Sequence, residues 1–288
     1  MLNRWLQIFA LLLLAGAGPP SSRPWRGAGI STDQFESHPA FDPKTGDIYF
    51  VRSRRDFTGW RILFSQCGAS GWSKPSLPPF AGDGQEADPW FSGDGRSLWF
   101  ISSRSTDGVK KADLDIWRID RMRDGRWGTP VRLPTPVNSP AYEWFPRPSA
   151  DGWIYFGSGR AGGLGKTDIW RARKSNGVWN VENAGAPVNS AKGEFEALPS
   201  ADGKSLIVQS DDGYFETHKT VAGWSPRKFL PSAVNLNGTE IGLAQSPTGR
   251  TLLFARDTKG PRSGELFVWH RHGREGWPAS CPRHGNRR

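Results

Sequence analysis

The chain has 288 residues, of which 36% are hydrophobic and 23% charged, and its formal net charge is +10. That length suits one well-buried domain or two small ones. Its 35 glycines, 23 prolines and 15 tryptophans, beside only two methionines, argue against a helical bundle and for a turn-rich all-β protein, because Gly and Pro supply turn geometry while aromatics cover half-buried pleated faces.

Residues 1–17 read as an export signal. Arg4 gives a positive start, Leu6 to Leu14 is apolar, and Ala15-Gly16-Ala17 offers the small residues a signal peptidase needs. The apolar run is about half the roughly 20 residues a membrane span requires, so no membrane span is expected in the mature form, which would be periplasmic or secreted in a bacterial envelope. Residues 18–35 are expected to close the fold, residues 36–278 to form it, and residues 279–288 to make a basic tail. Export permits disulfides. Cys67 and Cys281 flank the repeated region, and either a bridge fastening a closed ring or two unpaired thiols is compatible with the sequence. Two cysteines without CxxC spacing suggest no metal site, and nothing implies a cofactor.

From residue 36 the chain repeats itself. Five copies align on an acidic residue ahead of a tight turn, at Glu36, Glu86, Glu143, Glu194 and Glu240, spaced by 50, 57, 51 and 46 residues. Each copy predicts an inner strand, a turn such as Gly93-Asp94-Gly95, and a second strand: Ile48–Val51, Leu98–Ile101, Trp153–Phe156, Leu206–Val208 and Leu252–Ala255. A third strand follows, at Arg61–Phe64, Asp115–Arg118, Asp168–Arg171 and Glu265–Val268, with only Tyr214-Phe215-Glu216 left of it in copy four. A tryptophan then opens the last strand: Trp72, Trp127, Trp179, Trp224 or Trp277. A period near 50 with four short strands per copy predicts a single β-propeller of five four-stranded blades, with six as the alternative. Copy five stops early, and Ala28 to Gln34 resemble the Pro136-Val137-Asn138-Ser139 connection. The N-terminal segment is therefore expected to supply the missing strand of the last blade and remove an exposed edge.

The elements P-x-h-S-x-D-G, a second strand, S-x-R and G-G-x-G-x-x-D-I-W resemble the WD40-like propeller repeats of the type found in the TolB protein of bacterial envelopes. Copies two and three carry this best, in Ser92 to Gly95, Ser103-Arg104 and Asp115-Ile116-Trp117, then in Ser149 to Gly152, Gly159-Arg160, Gly162 to Gly165 and Asp168-Ile169-Trp170. The resemblance implies the fold and leaves function open, since propellers host scaffolds and enzymes alike. Copy four departs from it, with Ser210-Asp211-Asp212 and no arginine after the second strand.

The strand directions of a propeller bring each anchoring Glu, the arginine after the second strand and the acid opening the third to one rim. Glu86, Arg104 and Asp115, and likewise Glu143, Arg160 and Asp168, are expected as ion pairs tying each blade together, with Glu143, Asp115 and Asp168 purely structural. Glu86, Arg104 and Arg160 are also candidates for binding at the channel mouth. So are His38, Asp88 and Glu196, which stand two residues after their anchors where the copies differ most. The Gly162 to Thr167 loop lacks phosphate-loop spacing and joins two strands, and no nucleophile motif or Ser-His-Asp set is present. Basic residues are scattered, so nucleic acid is not expected. The reading is a monomeric, non-enzymatic exported scaffold that binds a protein or envelope polysaccharide through its channel face. The alternative is a carbohydrate-active hydrolase or lyase using channel-mouth carboxylates.

Overall fold

The structure is a computed structural model describing residues 21–27, 29–109, 112–236, 238–258, 264–271, 273, 275–278 and 281. Small antiparallel sheets follow one another along the chain as a five-bladed β-propeller. In blade three the order from the axis outward is Glu143–Pro148, Ile154–Ser158, Asp168–Ser175 and Val178–Asn183. Blade two repeats this with Glu86–Phe91, Ser97–Ser102, Asp115–Asp120 and Val131–Arg132. Blade one consists of Phe35–Phe41, Ile48–Ser53 and Arg61–Ser65, with a Phe64–Ser76 bridge in the fourth place.

The turns follow from their residues. Asp94 Oδ1 accepts from Arg96 N at 3.0 Å and from Ser92 Oγ at 2.7 Å, and Gly95 takes the left-handed conformation, which closes the hairpin between the first two strands of blade two. The second strands carry large apolar residues that vanish between blades: Phe50, Phe100, Phe156 and Phe254 are all fully buried. Each such burial stabilises the ring by about 1.5–3 kcal/mol.

Closure uses both ends of the chain. Arg23–Pro24 forms the outer strand of blade five, with Arg23 opposite Val268 and Pro24 opposite Phe267, so the N-terminal segment closes a five-bladed ring and the sixth blade does not arise. Cys67 and Cys281 form a disulfide with Cα atoms 5.5 Å apart, linking the Cys67–Gly68 strand after blade one to the chain beyond blade five. Trp277 does not open a strand of its own blade. It packs edge-on against Phe41 of blade one with ring centroids 5.6 Å apart, because Arg23–Pro24 already occupies the outer edge it would have used.

Copy four also differs from expectation. Its third strand is whole, Gly213–Thr220, because Ser210-Asp211-Asp212-Gly213 folds back at once and puts Ser210 opposite Gly213. Residues 1–17, expected to be an export signal, lie outside the described residues, as does the basic tail apart from Cys281. Among the described residues no helix is long and apolar enough to cross a membrane.

Candidate functional site

The five anchoring glutamates are buried, and one device holds each of them. Every anchor accepts a hydrogen bond from the backbone N–H four residues before it: Thr32 to Glu36, Gly82 to Glu86, Ser139 to Glu143, Ser190 to Glu194 and Leu236 to Glu240, at 3.0–3.2 Å. Every anchor also takes an arginine whose guanidinium lies over a phenylalanine of the same blade, 4.3–5.4 Å from its centroid. The guanidinium comes from three places. In blades one and five it sits directly opposite the anchor, as Arg52 and Arg256. In blades two and three a serine takes that register position, and Arg104 and Arg160 arrive two residues later.

Blade four has no arginine after its second strand, and there Arg227 reaches across from the outer edge. Its Nη2 lies 2.7 Å from Glu194, and it donates to the Pro187 and Val188 carbonyls. The same arginines bond to carbonyls of the connection between blades, for instance Arg52 to Ile30 and Arg160 to Val137. The device therefore welds each connection to the blade that follows it. A buried carboxylate this well supplied with charge-assisted donors has a structural task.

The expected Glu-Arg-Asp triads do not form. Asp115 takes a two-pronged contact from Arg132 of its own outer strand, at 2.6 and 2.7 Å, because Arg132 stands opposite Trp117 on the face that Asp115 shares. Asp168 accepts from the Leu164 and Gly165 N–H groups and from Asn183. The glycine-rich loop thus folds around its own aspartate. A side chain at Gly165 would collide with the Lys192 carbonyl at 1.9 Å.

The positions two after each anchor do meet at the axis. All five inner strands break register there, and in four of them the residue is left-handed: His38, Asp88, Phe145 and Gly242 have φ of 52°, 56°, 51° and 66°. Contacts pass from blade to blade around a complete circle. His38 Nε2 lies 3.3 Å from Asp88 Oδ1, and Asp88 Oδ2 accepts from Phe145 N at 2.8 Å. Arg147 Nη2 donates to Glu196 Oε1 at 2.6 Å, and Glu196 Oε2 accepts from Leu243 N at 3.2 Å. Gly242 closes the circle against His38, where an added Cβ would stand 2.7 Å from the His38 nitrogen.

This circle plugs the channel with buried charge. Burial pushes the Asp88 carboxyl up to about 7, opposed by Arg147 and the Phe145 N–H and aided by Glu196. Burial, with Arg147, pushes His38 down to about 3, so its imidazole is neutral, with Ser37 Oγ at 2.6 Å from Nδ1. Burial also raises Tyr214 well above its ordinary value, and its hydroxyl donates to Glu196 at 3.1 Å. The centre thus holds two acids against one guanidinium, and burial favours the protonated form of Asp88.

Above the plug, on the anchor side, lies a cavity of about 280 Å³. Phe57, Trp60, Trp144, Phe145, Phe195 and Ile241 form its wall, and His38 and Asp88 form part of its floor. Gln209 lines one side, its amide fixed by donation to the Glu240 carbonyl at 2.9 Å, which leaves the buried Oε1 without a partner. Glu86, Arg104, Arg160 and Glu196, expected at the channel mouth, do not line this cavity: their charges are consumed inside or between blades. Asp88 is the acid among the lining residues, so the cavity lacks the pair of carboxylates that glycoside cleavage uses.

The aromatic wall and Arg147 stand outside the positions that the repeat singles out. One signal was present: in copies three to five a large apolar residue, Trp144, Phe195 or Ile241, directly follows the anchoring Glu. No pattern announced Arg147, which sits where the other inner strands carry Ala40, Trp90, Leu198 and Ala244.

No protein-family model matches the chain, and no curated protein matches it in sequence. Among solved structures it is similar to a TolB candidate of Agrobacterium tumefaciens, at 17% identity over 78% of this chain and 70% of that one, with a TM-score of 0.48. A gluconolactonase of Xanthomonas campestris gives 13% identity over 89% and 98% of the two chains, also at 0.48. An α-L-arabinanase of Penicillium chrysogenum, solved with arabinobiose, gives 12% over 78% and 71%, at 0.46. These likenesses carry nothing about activity.

Proposed function

We propose that this chain is an exported, monomeric binding scaffold that engages a protein partner through the mouth of its plugged channel and performs no chemistry on it. The observation that carries the reading is the aromatic cavity over the His38–Asp88 floor. A preformed apolar recess with few polar groups is where a partner's side chain is desolvated and anchored, and rigid aromatic walls hold such an anchor at small entropic cost. The Glu–Arg pairs of the same face support a scaffold, because their charges are already spent on holding the blades together. The export-like residues 1–17 and the Cys67–Cys281 bridge support a destination in the envelope or outside the cell.

The test is affinity capture from envelope extract, comparing the unaltered protein with a Trp144→Ala, Phe195→Ala variant. Both rings are only partly buried at the rim, so the double variant is expected to keep its fold and to lose the specific partner. Undiminished capture by a folded variant would move the site elsewhere.

A further inference from the structure

We infer that the cavity at the channel mouth recognises an organic cation, an alkylammonium head on an apolar stem such as the side chain of a lysine in an extended partner segment. The inference rests on the mouth being the binding face and names what that face selects.

Three independent features of the recess agree. The first is where the protein keeps its own cations. Arginines and lysines stack over aromatic rings throughout the blades, on Phe50, Trp99, Phe100, Trp153, Phe156 and Phe254 among others. Among the described residues, Phe57, Trp60, Trp144 and Phe195 carry no such contact, and no Lys or Arg lines the cavity, although the chain has 38 of them. Arg147 lies beneath the floor, held by Glu196, stacked on Trp90 at 4.4 Å and reaching over the Phe145 ring at 5.5 Å, so Phe145 alone of the aromatic wall already has a cation. The negative quadrupoles of these four rings are therefore not matched by a cation of the chain's own described residues.

The second feature is that the polar complement consists of acceptors. Both His38 ring nitrogens are engaged, by Ser37 and Asp88. Gln209 lines the wall with a buried Oε1 that has no partner, and its amide cannot turn over without losing the Glu240 contact. An occupant that satisfies this recess must donate. The third feature is the floor. Asp88 is a buried acid in a centre with one carboxylate more than guanidinium, and an ammonium above it offsets that excess. Its pKa near neutrality means that the cation would enter as the carboxyl loses its proton.

The test is a titration of the full chain at pH 7.5, followed by tryptophan fluorescence, with the peptide acetyl-Ala-Lys-Ala-amide and its norleucine counterpart, which has the same stem without the ammonium. The lysine peptide is expected to bind at least about tenfold more tightly, a difference of about 1.4 kcal/mol. It should release a fraction of a proton near pH 7 and lose its preference in Gln209→Leu and in Trp144→Ala. Melting temperatures within a degree or two of the parent would show that those variants are folded. Equal or stronger binding of the norleucine peptide overturns the cation while leaving an apolar mouth. No binding of either peptide at millimolar concentration also overturns it. The binding face itself falls only if the rim variant still captures its partner.

Discussion

His38 Nε2 lies 3.3 Å from Asp88 Oδ1 across the boundary between blades one and two, with both side chains almost wholly buried. Their titrations oppose one another. Asp88 rises from 3.8 to about 7 on folding, so its contribution to stability is full below about pH 4 and is lost as pH climbs through 7. His38 falls from 6.5 to about 3, so its contribution is present above about 6.5 and is lost as pH drops toward 3. Between pH 4 and 6.5 the two slopes offset each other. Asp88→Asn, which keeps an acceptor for the Phe145 N–H, should leave the His38 slope alone. Thermal melts of the variant should then rise steadily from pH 4 to 6.5 and at pH 8 match or exceed the parent. A profile parallel to the parent's would refute the coupling.

Arg227 stands in for the arginine that copy four lacks. Removing one member of a buried pair strands the other charge, at a cost of about 3–5 kcal/mol for a fully buried pair, and Arg227 is slightly exposed. Arg227→Gln should therefore cost about 3 kcal/mol by urea denaturation, close to the cost of Arg160→Gln. If Arg227→Gln behaves as an ordinary surface change, within about 0.5 kcal/mol, the equivalence of the two fails.

The segment before blade one is a structural part. Ile30 is fully buried beside Phe35 and Leu266, in the position that Val137, Val188 and Val234 hold in later connections. Ile30→Ala should cost about 2–5 kcal/mol. Truncation of residues 18–35 should lower the melting temperature far more, since it also exposes the edge of Glu265–His270. An unchanged melting curve in calorimetry would mean that the ring closes by other means.

The disulfide closes the ring a second time, across 214 residues. Cys67→Ser should destabilise the protein by about 2–4 kcal/mol. Cys281→Ser should do the same, and the double variant should cost no more than either single one. Additive losses would show that the thiols act separately.

The repeat told most of the architecture. Proline and glycine spacing, the alternating apolar second strands and the period near 50 were enough for a propeller of five or six blades and for its strand order, because these depend on local turn chemistry and on which face of a strand is apolar. The buried Glu–Arg pairs were legible in blades two and three, where the motif is regular. They were not legible in blade four, because nothing in linear order brings Arg227 to Glu194 across 33 residues. Likewise the bulges at His38, Asp88 and Phe145 each precede a proline, yet only ring closure turns five separate bulges toward one axis.

The chain by itself therefore determined a propeller of five or six blades closed by its own N-terminal strand, through a periodicity that each blade satisfies with its own residues, and the structure decided for five. Tertiary structure alone decided what the channel is. Its floor is made by pairs from different blades, His38 with Asp88 and Arg147 with Glu196, and its wall by rings from blades one, three and four. Those pairings depend on the radius at which five twisted sheets pack. That radius sets which charges are buried together and which aromatic faces are left open.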